Sequence, residues 1–227
     1  MNTEVFTGKA EFYAKGRPGY PDAAMDYIIS LVQQKAVFAD VGAGTGKFTQ
    51  LLAKRGVPIY AVEPNADMQE QLTAVLAPFV NTTIITGSAE STTLPDSSVN
   101  AIICAQALHW FDPGEFLKEC KRIGKPDSIA IAVYNITPGG NNAARHDRAV
   151  QAFFKNPTIR EFPNPIFYTR EKWLIYMTSH SHNPLPSDPN YAAHMNEMNE
   201  IFDRESACGL LCRQVRTIVY SERIEEL

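Results

Sequence analysis

No stretch of this sequence reaches the roughly 18–20 consecutive apolar residues that a membrane-spanning helix needs. The opening segment MNTEVFTGKAEFYAKGRPGYP carries acidic residues and has no apolar core of the kind a secretory leader requires. Neither a membrane partner nor export is therefore expected. Paired cysteines are missing as well. Cys104, Cys120, Cys208 and Cys212 form no C-x-x-C pair, which reads as reduced thiols in a cytoplasmic protein. There is no long basic run: 21 Lys and Arg stand against 25 Asp and Glu, a net charge of −4, which argues against a nucleic-acid surface. Internal repeats and low-complexity segments are also absent. Histidines are few, and the His180-x-His182 pair with a distant His194 lacks the companion ligands of a zinc site, so no metal is expected.

What is present sits between Phe38 and Gly56, in FADVGAGTGKFTQLLAKRG. Two phosphate-binding patterns are nearly met there. A P-loop would place its first glycine at Val41, and Phe48 follows the lysine where a hydroxyl is needed for magnesium. A dinucleotide fingerprint would place its third glycine at Lys47. What remains is D-x-G-x-G-x-G, with Asp40 ahead of Gly42, Gly44 and Gly46. Glycines let the backbone come close to a ligand. An acid ahead of them repels a pyrophosphate and suits a ligand with an ammonium group, although a tight strand-to-helix turn with an Asp cap is a competing reading.

Apolar runs at 37–41, 58–63, 82–86, 100–105 and 128–135 alternate with helical patterns at 45–54, from Asn65 to Leu76, and from Asp112 onward. That order predicts an α/β fold: a Rossmann-like, mostly parallel sheet with helices on both faces, an antiparallel last strand and a lid insert. The chain reads as one domain with four parts. Residues 1–34 form a helical cap and 35–135 a cofactor-binding core. Residues 136–205 form a helical or irregular substrate lid, since 136–190 is rich in Pro, Asn and His, and 206–227 form terminal strands. Ligands of such sheets lie at the carboxyl ends of the strands. Glu63 ends the second strand, where a carboxylate can accept both hydroxyls of a ribose.

The stretches FADVGAGTG (38–46), YAVEPN (60–65), GSAESTTLPDSSVNAIICAQALHWFD (87–112) and FYAKGRPGYP (12–21), taken in order, resemble class I S-adenosylmethionine-dependent methyltransferases. The likeness is to the small-molecule group that includes the trans-aconitate methyltransferase-like enzymes, and RTIVY (216–220) resembles their last strand. The resemblance implies S-adenosylmethionine as cofactor, S-adenosylhomocysteine as product, and a small-molecule methyl acceptor. It puts Gly42, Ala43 and Gly44 along the methionine portion, with Asp40 near its ammonium. It puts Glu63 on the ribose, and Pro64 with Asn65 beside the adenine. Ser88, Ala89 and Glu90 belong at the adenine; relatives carry Asp where this chain has Ser88. Gln106 would face the methionine tail and methyl, and Tyr13, Arg17 and Tyr20 would close over the cofactor. His109 is the candidate base or orienter and Trp110 the candidate acceptor wall; ordinary aromatic packing is the competing reading for both. Two other functions stay open: a nicotinamide-dependent oxidoreductase and a catalytically silent S-adenosylmethionine-binding protein. Neither the acceptor nor the oligomeric state is legible.

Overall fold

A computed structural model describes residues 18–138, 143–180 and 183–227. Tyr13, Arg17 and His182, named above, lie outside the described residues. The chain forms α1 (Asp22–Ser30), β1 (Phe38–Val41), α2 (Thr49–Ala53), β2 (Ile59–Val62), α3 (Ala66–Leu76), β3 (Thr82–Ile85) and β4 (Val99–Ala105). A single turn of 3-10 helix, Leu108–Trp110, leads to α4 (Pro113–Ile123), β5 (Gly124–Ile136), α5 (Ala143–Phe153) and β6 (Thr158–Tyr168). Then follow α6 (Arg170–Thr178), α7 (Tyr191–Glu205) and β7 (Leu211–Arg223).

The seven strands make one sheet in the order β3-β2-β1-β4-β5-β7-β6. The first five are parallel, and β7 runs antiparallel to both its neighbours. This is the Rossmann-like arrangement expected, with the reversal of strand order falling between β1 and β4. Alternate strand residues feed two apolar layers. Ala39, Ile102 and Tyr134 pack under α4 and α5, while Phe38, Ile103, Val133 and Val219 pack under α1 and α2. Both faces are covered, as parallel sheets require.

Local chemistry explains the boundaries. The Asn65 side chain accepts from the Met68 N–H at 3.0 Å and starts α3. Asp112 accepts from the Glu115 N–H at 2.9 Å, with Pro113 at the first helical position of α4. α2 begins at Thr49 rather than Thr45, because Gly42, Gly44 and Gly46 all adopt positive φ and hold the chain in a turn first.

The expected lid differs most. Its residues 136–205 contain two further helices before α7, together with β6, a full strand paired with β7 from Thr158↔Ser221 to Tyr168↔Leu211. Pro163 and Pro165 hid this strand in the sequence. They lie two apart, so the donors they lack fall on one side, and an edge strand has one side that needs none. The stretch Thr158–Tyr168 is thus sheet scaffold. Helices α6 and α7 add a small core of Trp173, Met198 and Phe202 over Tyr168 and Leu211. Among the described residues no helix is long and apolar enough to cross a membrane.

Candidate functional site

A cleft of about 640 Å³, partly open to solvent, lies where β1, β4 and β5 end. Its floor is the glycine loop, with Asp40, Gly42, Ala43 and Gly44. Its sides are Gln106 after β4, Asn135 of β5 with Thr137 just after that strand, and Val215 of β7. Tyr20, ahead of α1, and Tyr176 of α6 also line it. Tyr20 is held there edge-on against Phe48, ring centroids 5.0 Å apart.

Asp40 is buried. Its Oδ2 accepts from the Thr49 hydroxyl at 2.6 Å, whereas its Oδ1 has no hydrogen-bond partner among the described residues. Burial pushes the carboxyl up to about 7, against the Thr49 hydrogen bond, and the Glu63 charge adds to the rise. A carboxylate oxygen left unsatisfied in a ligand cleft calls for a donor or cation. Space above the loop is open as well: a Cβ on Gly44 would meet nothing within 4 Å. A Cβ on Gly42 would come within 2.9 Å of the Ala107 Cβ and 3.2 Å of the Phe111 ring, so that glycine is needed for packing as well as for its φ of +73°.

Glu63 plays a part that the sequence did not reveal. Its Oε2 accepts from the Gly44 N–H at 2.8 Å and its Oε1 from the Asn65 N–H at 2.9 Å. Burial raises its pKa and these two bonds oppose the rise. The carboxylate clamps the glycine loop to the start of α3, and it is not among the residues lining the cleft. One lone pair on each oxygen is still unused by the described residues.

Gln106 is one of few non-glycine residues with positive φ, +59°, pinned by its N–H to the Val133 carbonyl at 2.8 Å. Such backbone is unfavourable outside glycine and Asn, and it turns the chain sharply at the cleft wall.

Five expected cofactor residues therefore meet in one cleft with Tyr20: Asp40, Gly42, Ala43, Gly44 and Gln106. Pro64, Ser88, Ala89 and Glu90 do not line it. Ser88 pairs with Ser91 across a tight turn, Ala89 is buried, and Glu90 accepts from the Asp112 N–H at 3.2 Å. His109 and Trp110 do not line it either. The 3-10 turn packs on α5, setting the His109 ring 5.1 Å from that of His146, and the Arg145 guanidinium lies 4.2 Å over Trp110. His109 instead lines a separate groove with Arg145 and Arg148. Sequence reasoning passed over Lys47, Tyr176 and Val215 on the cleft. Only Lys47, beside the glycines, carried a local signal. Among the described residues no group of three His, Cys, Asp or Glu is arranged to hold a metal ion.

Comparison with known proteins agrees with this geometry. Residues 39–132 match the family described as methyltransferase domain. The chain is 38% identical over 123 residues to an uncharacterised methyltransferase of Mycobacterium tuberculosis, covering 54% of this chain and 49% of that protein. It is 36% identical over 138 residues to an uncharacterised methyltransferase-like protein of Schizosaccharomyces pombe, covering 60% and 53%. The chain thus spans about half the length of the curated relatives it matches. In fold it resembles a protein assigned as a type II methyltransferase from Anaeromyxobacter dehalogenans, with TM-score 0.69 and 20% identity over 92% of this chain and 98% of that one. It also resembles geranyl diphosphate C-methyltransferase from Streptomyces coelicolor A3(2), with TM-score 0.52 and 13% identity over 89% and 77%.

Proposed function

We propose that this chain, whose residues 39–132 match the methyltransferase domain family, is a class I methyltransferase that transfers a methyl group from S-adenosylmethionine to a small-molecule acceptor. The observation that carries the reading is the Asp40 Oδ1, without a hydrogen-bond partner among the described residues, at the floor of a glycine-lined cleft. A cationic amino-acid end fits it, and a pyrophosphate does not. When bound, the cofactor supplies a methyl group already activated on a sulfonium. Asp40 would hold the ammonium, Gly42, Ala43 and Gly44 would lie along the methionine portion, and Gln106 would border the methyl side. Glu63 would offer its remaining lone pairs to the ribose, and Ser88, Ala89 and Glu90 the adenine side, with Tyr20 closing the cleft.

The chain's own work is alignment and exclusion of water, because little covalent help is needed. Glu63 fixes the loop through the Gly44 and Asn65 N–H groups. Tyr20 and Tyr176 line the cleft. A net charge of −4 without a basic run favours a small acceptor over nucleic acid. His109, off the cleft, is a weaker candidate base than the sequence implied.

Titration calorimetry and thermal melting test the reading. S-adenosylhomocysteine should bind and raise Tm, while NAD should do neither. No heat with S-adenosylhomocysteine at millimolar concentration rejects the proposal, and a melting shift with NAD alone moves it to nicotinamide chemistry.

A further inference from the structure

Asn135 lines the cleft at the end of β5, and the hydrogen bonds of its side chain form a closed pattern. Its Nδ2 donates to the Gly19 carbonyl at 3.0 Å. Its Oδ1 accepts from the Thr217 hydroxyl at 2.6 Å and from Asn164 Nδ2 at 3.3 Å. Asn164 Nδ2 also donates to the Gly19 carbonyl at 3.0 Å and lies 3.2 Å from the Thr217 hydroxyl oxygen. Three strands thereby meet the segment that carries Tyr20. Asn135 comes from β5, Asn164 from β6 and Thr217 from β7, and Thr217 is fully buried.

The direction of each bond follows from a single group. A backbone carbonyl can only accept, so Gly19 draws the NH2 ends of both amides toward itself. The Asn135 oxygen must then face Thr217, whose one hydroxyl proton goes to it. Turning either amide over would set an oxygen against the Gly19 oxygen. Asn135 therefore has one orientation, fixed by protein alone.

A primary amide carries two N–H bonds, and Gly19 takes one of them. The other has no partner among the described residues, on a side chain that lines the cleft. β5 is two strands from β1 in the sheet, roughly 10 Å at ordinary strand spacing. The glycine loop and Asp40 therefore mark one end of the cleft, and Asn135 stands beyond Gln106 towards the other.

We infer that the second N–H of Asn135 recognises the methyl acceptor, and selects one that carries a carbonyl or carboxylate oxygen beside the atom to be methylated. Asn164 and Thr217 are positioning residues, acting through Asn135. This rests on the methyl-transfer reading for which end of the cleft the acceptor takes. An ammonium group in the same place would meet the positive end of the N–H dipole and is disfavoured. A rigid donor is a sharper filter than a mobile one, because a ligand without a matching acceptor leaves the N–H buried and unpaired.

The test uses the full chain loaded with S-adenosylhomocysteine, with acetate and methylammonium as the smallest probes. The Asn135 side-chain amide signal is identified by its disappearance in Asn135→Leu and, whether or not that variant folds, by its magnetic contact with Thr217. Acetate should move this signal saturably, and methylammonium should not. Asn135→Leu should weaken acetate binding about tenfold or more with S-adenosylhomocysteine affinity little changed. Thr217→Val, which keeps the amide but frees its orientation, should fall between the two. An Asn135 signal shifted fully by S-adenosylhomocysteine and then indifferent to acetate would overturn the inference, since the N–H would belong to the cofactor. Equal response to methylammonium, or acetate binding unaffected by Asn135→Leu, overturns it as well. If S-adenosylhomocysteine leaves the glycine-loop amides unmoved, it is the methyl-transfer reading that fails. The acetate response of the unloaded protein then still decides the role of the donor.

Discussion

Asp40 has one oxygen satisfied by Thr49 and the other by none of the described residues, which couples its protonation to any cation that enters the cleft. Its pKa of about 7 lies above the ordinary carboxylate value, so the folded protein without ligand holds a proton that the unfolded chain has released. Stability from this group is therefore greatest below about pH 4 and declines as pH rises through 7. Ligand binding runs the other way. An ammonium group needs the ionised carboxylate, so S-adenosylhomocysteine affinity should rise between pH 5 and 8, by up to about tenfold per unit below 7. The groups around it are the Thr49 hydroxyl, the Glu63 carboxylate and the buried Cys104 thiol, whose own pKa burial raises. Glu63 shifts in the same direction as Asp40, so Asp40→Asn is the control: calorimetry across the range should show a flatter profile. A profile unchanged by Asp40→Asn assigns the proton elsewhere.

Glu63 is open to a similar separation of roles. Read as a ribose ligand only, it gives the fold little. Bound to the Gly44 and Asn65 N–H groups, it holds the loop. Glu63→Ala should therefore cost about 2 kcal/mol without any ligand, or roughly 4–8 °C in Tm for a chain of this size, and Glu63→Gln about half that. It should also weaken S-adenosylhomocysteine about 30-fold or more. A 2′,3′-dideoxy analogue should lose much less. An unchanged Tm rules out the clamp, and equal losses for both ligands rule out the ribose contact.

At the level of elements, legibility followed local chemistry. The Asn65 and Asp112 caps have short-range sequence signatures and were readable in advance, and so were the central strands, as apolar runs between turns. β6 was not readable. Its residues are mostly exposed, with only Phe162, Asn164 and Ile166 half-buried before Tyr168, and its two prolines argue against a strand unless its place at the edge is known. That place is a property of the whole sheet. The same blindness made 158–168 look like part of a cover. Excising residues 158–168 should lower Tm by more than about 10 °C or abolish folding, because β7 loses its outer partner and Tyr27 loses Phe162. Unchanged melting with lost turnover would restore the view of this segment as a dispensable cover.

For the molecule as a whole, the site was legible where one loop carries it and illegible where distant strands converge. Asp40, Gly42 and Gly44 lie within five residues of one another, so their spacing announces the cleft floor. The Gly19, Asn135, Asn164 and Thr217 ring draws on four separate parts of the chain, and nothing in any one of them predicts the other three. Glu63 was found by position but misjudged in part, since its bond to Gly44 exists only once β1 and β2 are side by side.

The placing of β7 between β5 and β6 also orders events in time. As the chain leaves the ribosome, β1 to β5 can assemble as each strand appears, because every partner precedes it or soon follows. β6 emerges before its native partner: among the described residues its one neighbour in the sheet, β7, is still to be made. Synthesis proceeds at roughly 5–20 residues per second, so for some seconds the nascent protein carries an orphan strand and an unfinished acceptor wall. The half of the cleft that would hold the cofactor precedes, in birth order, the half that would choose what is methylated.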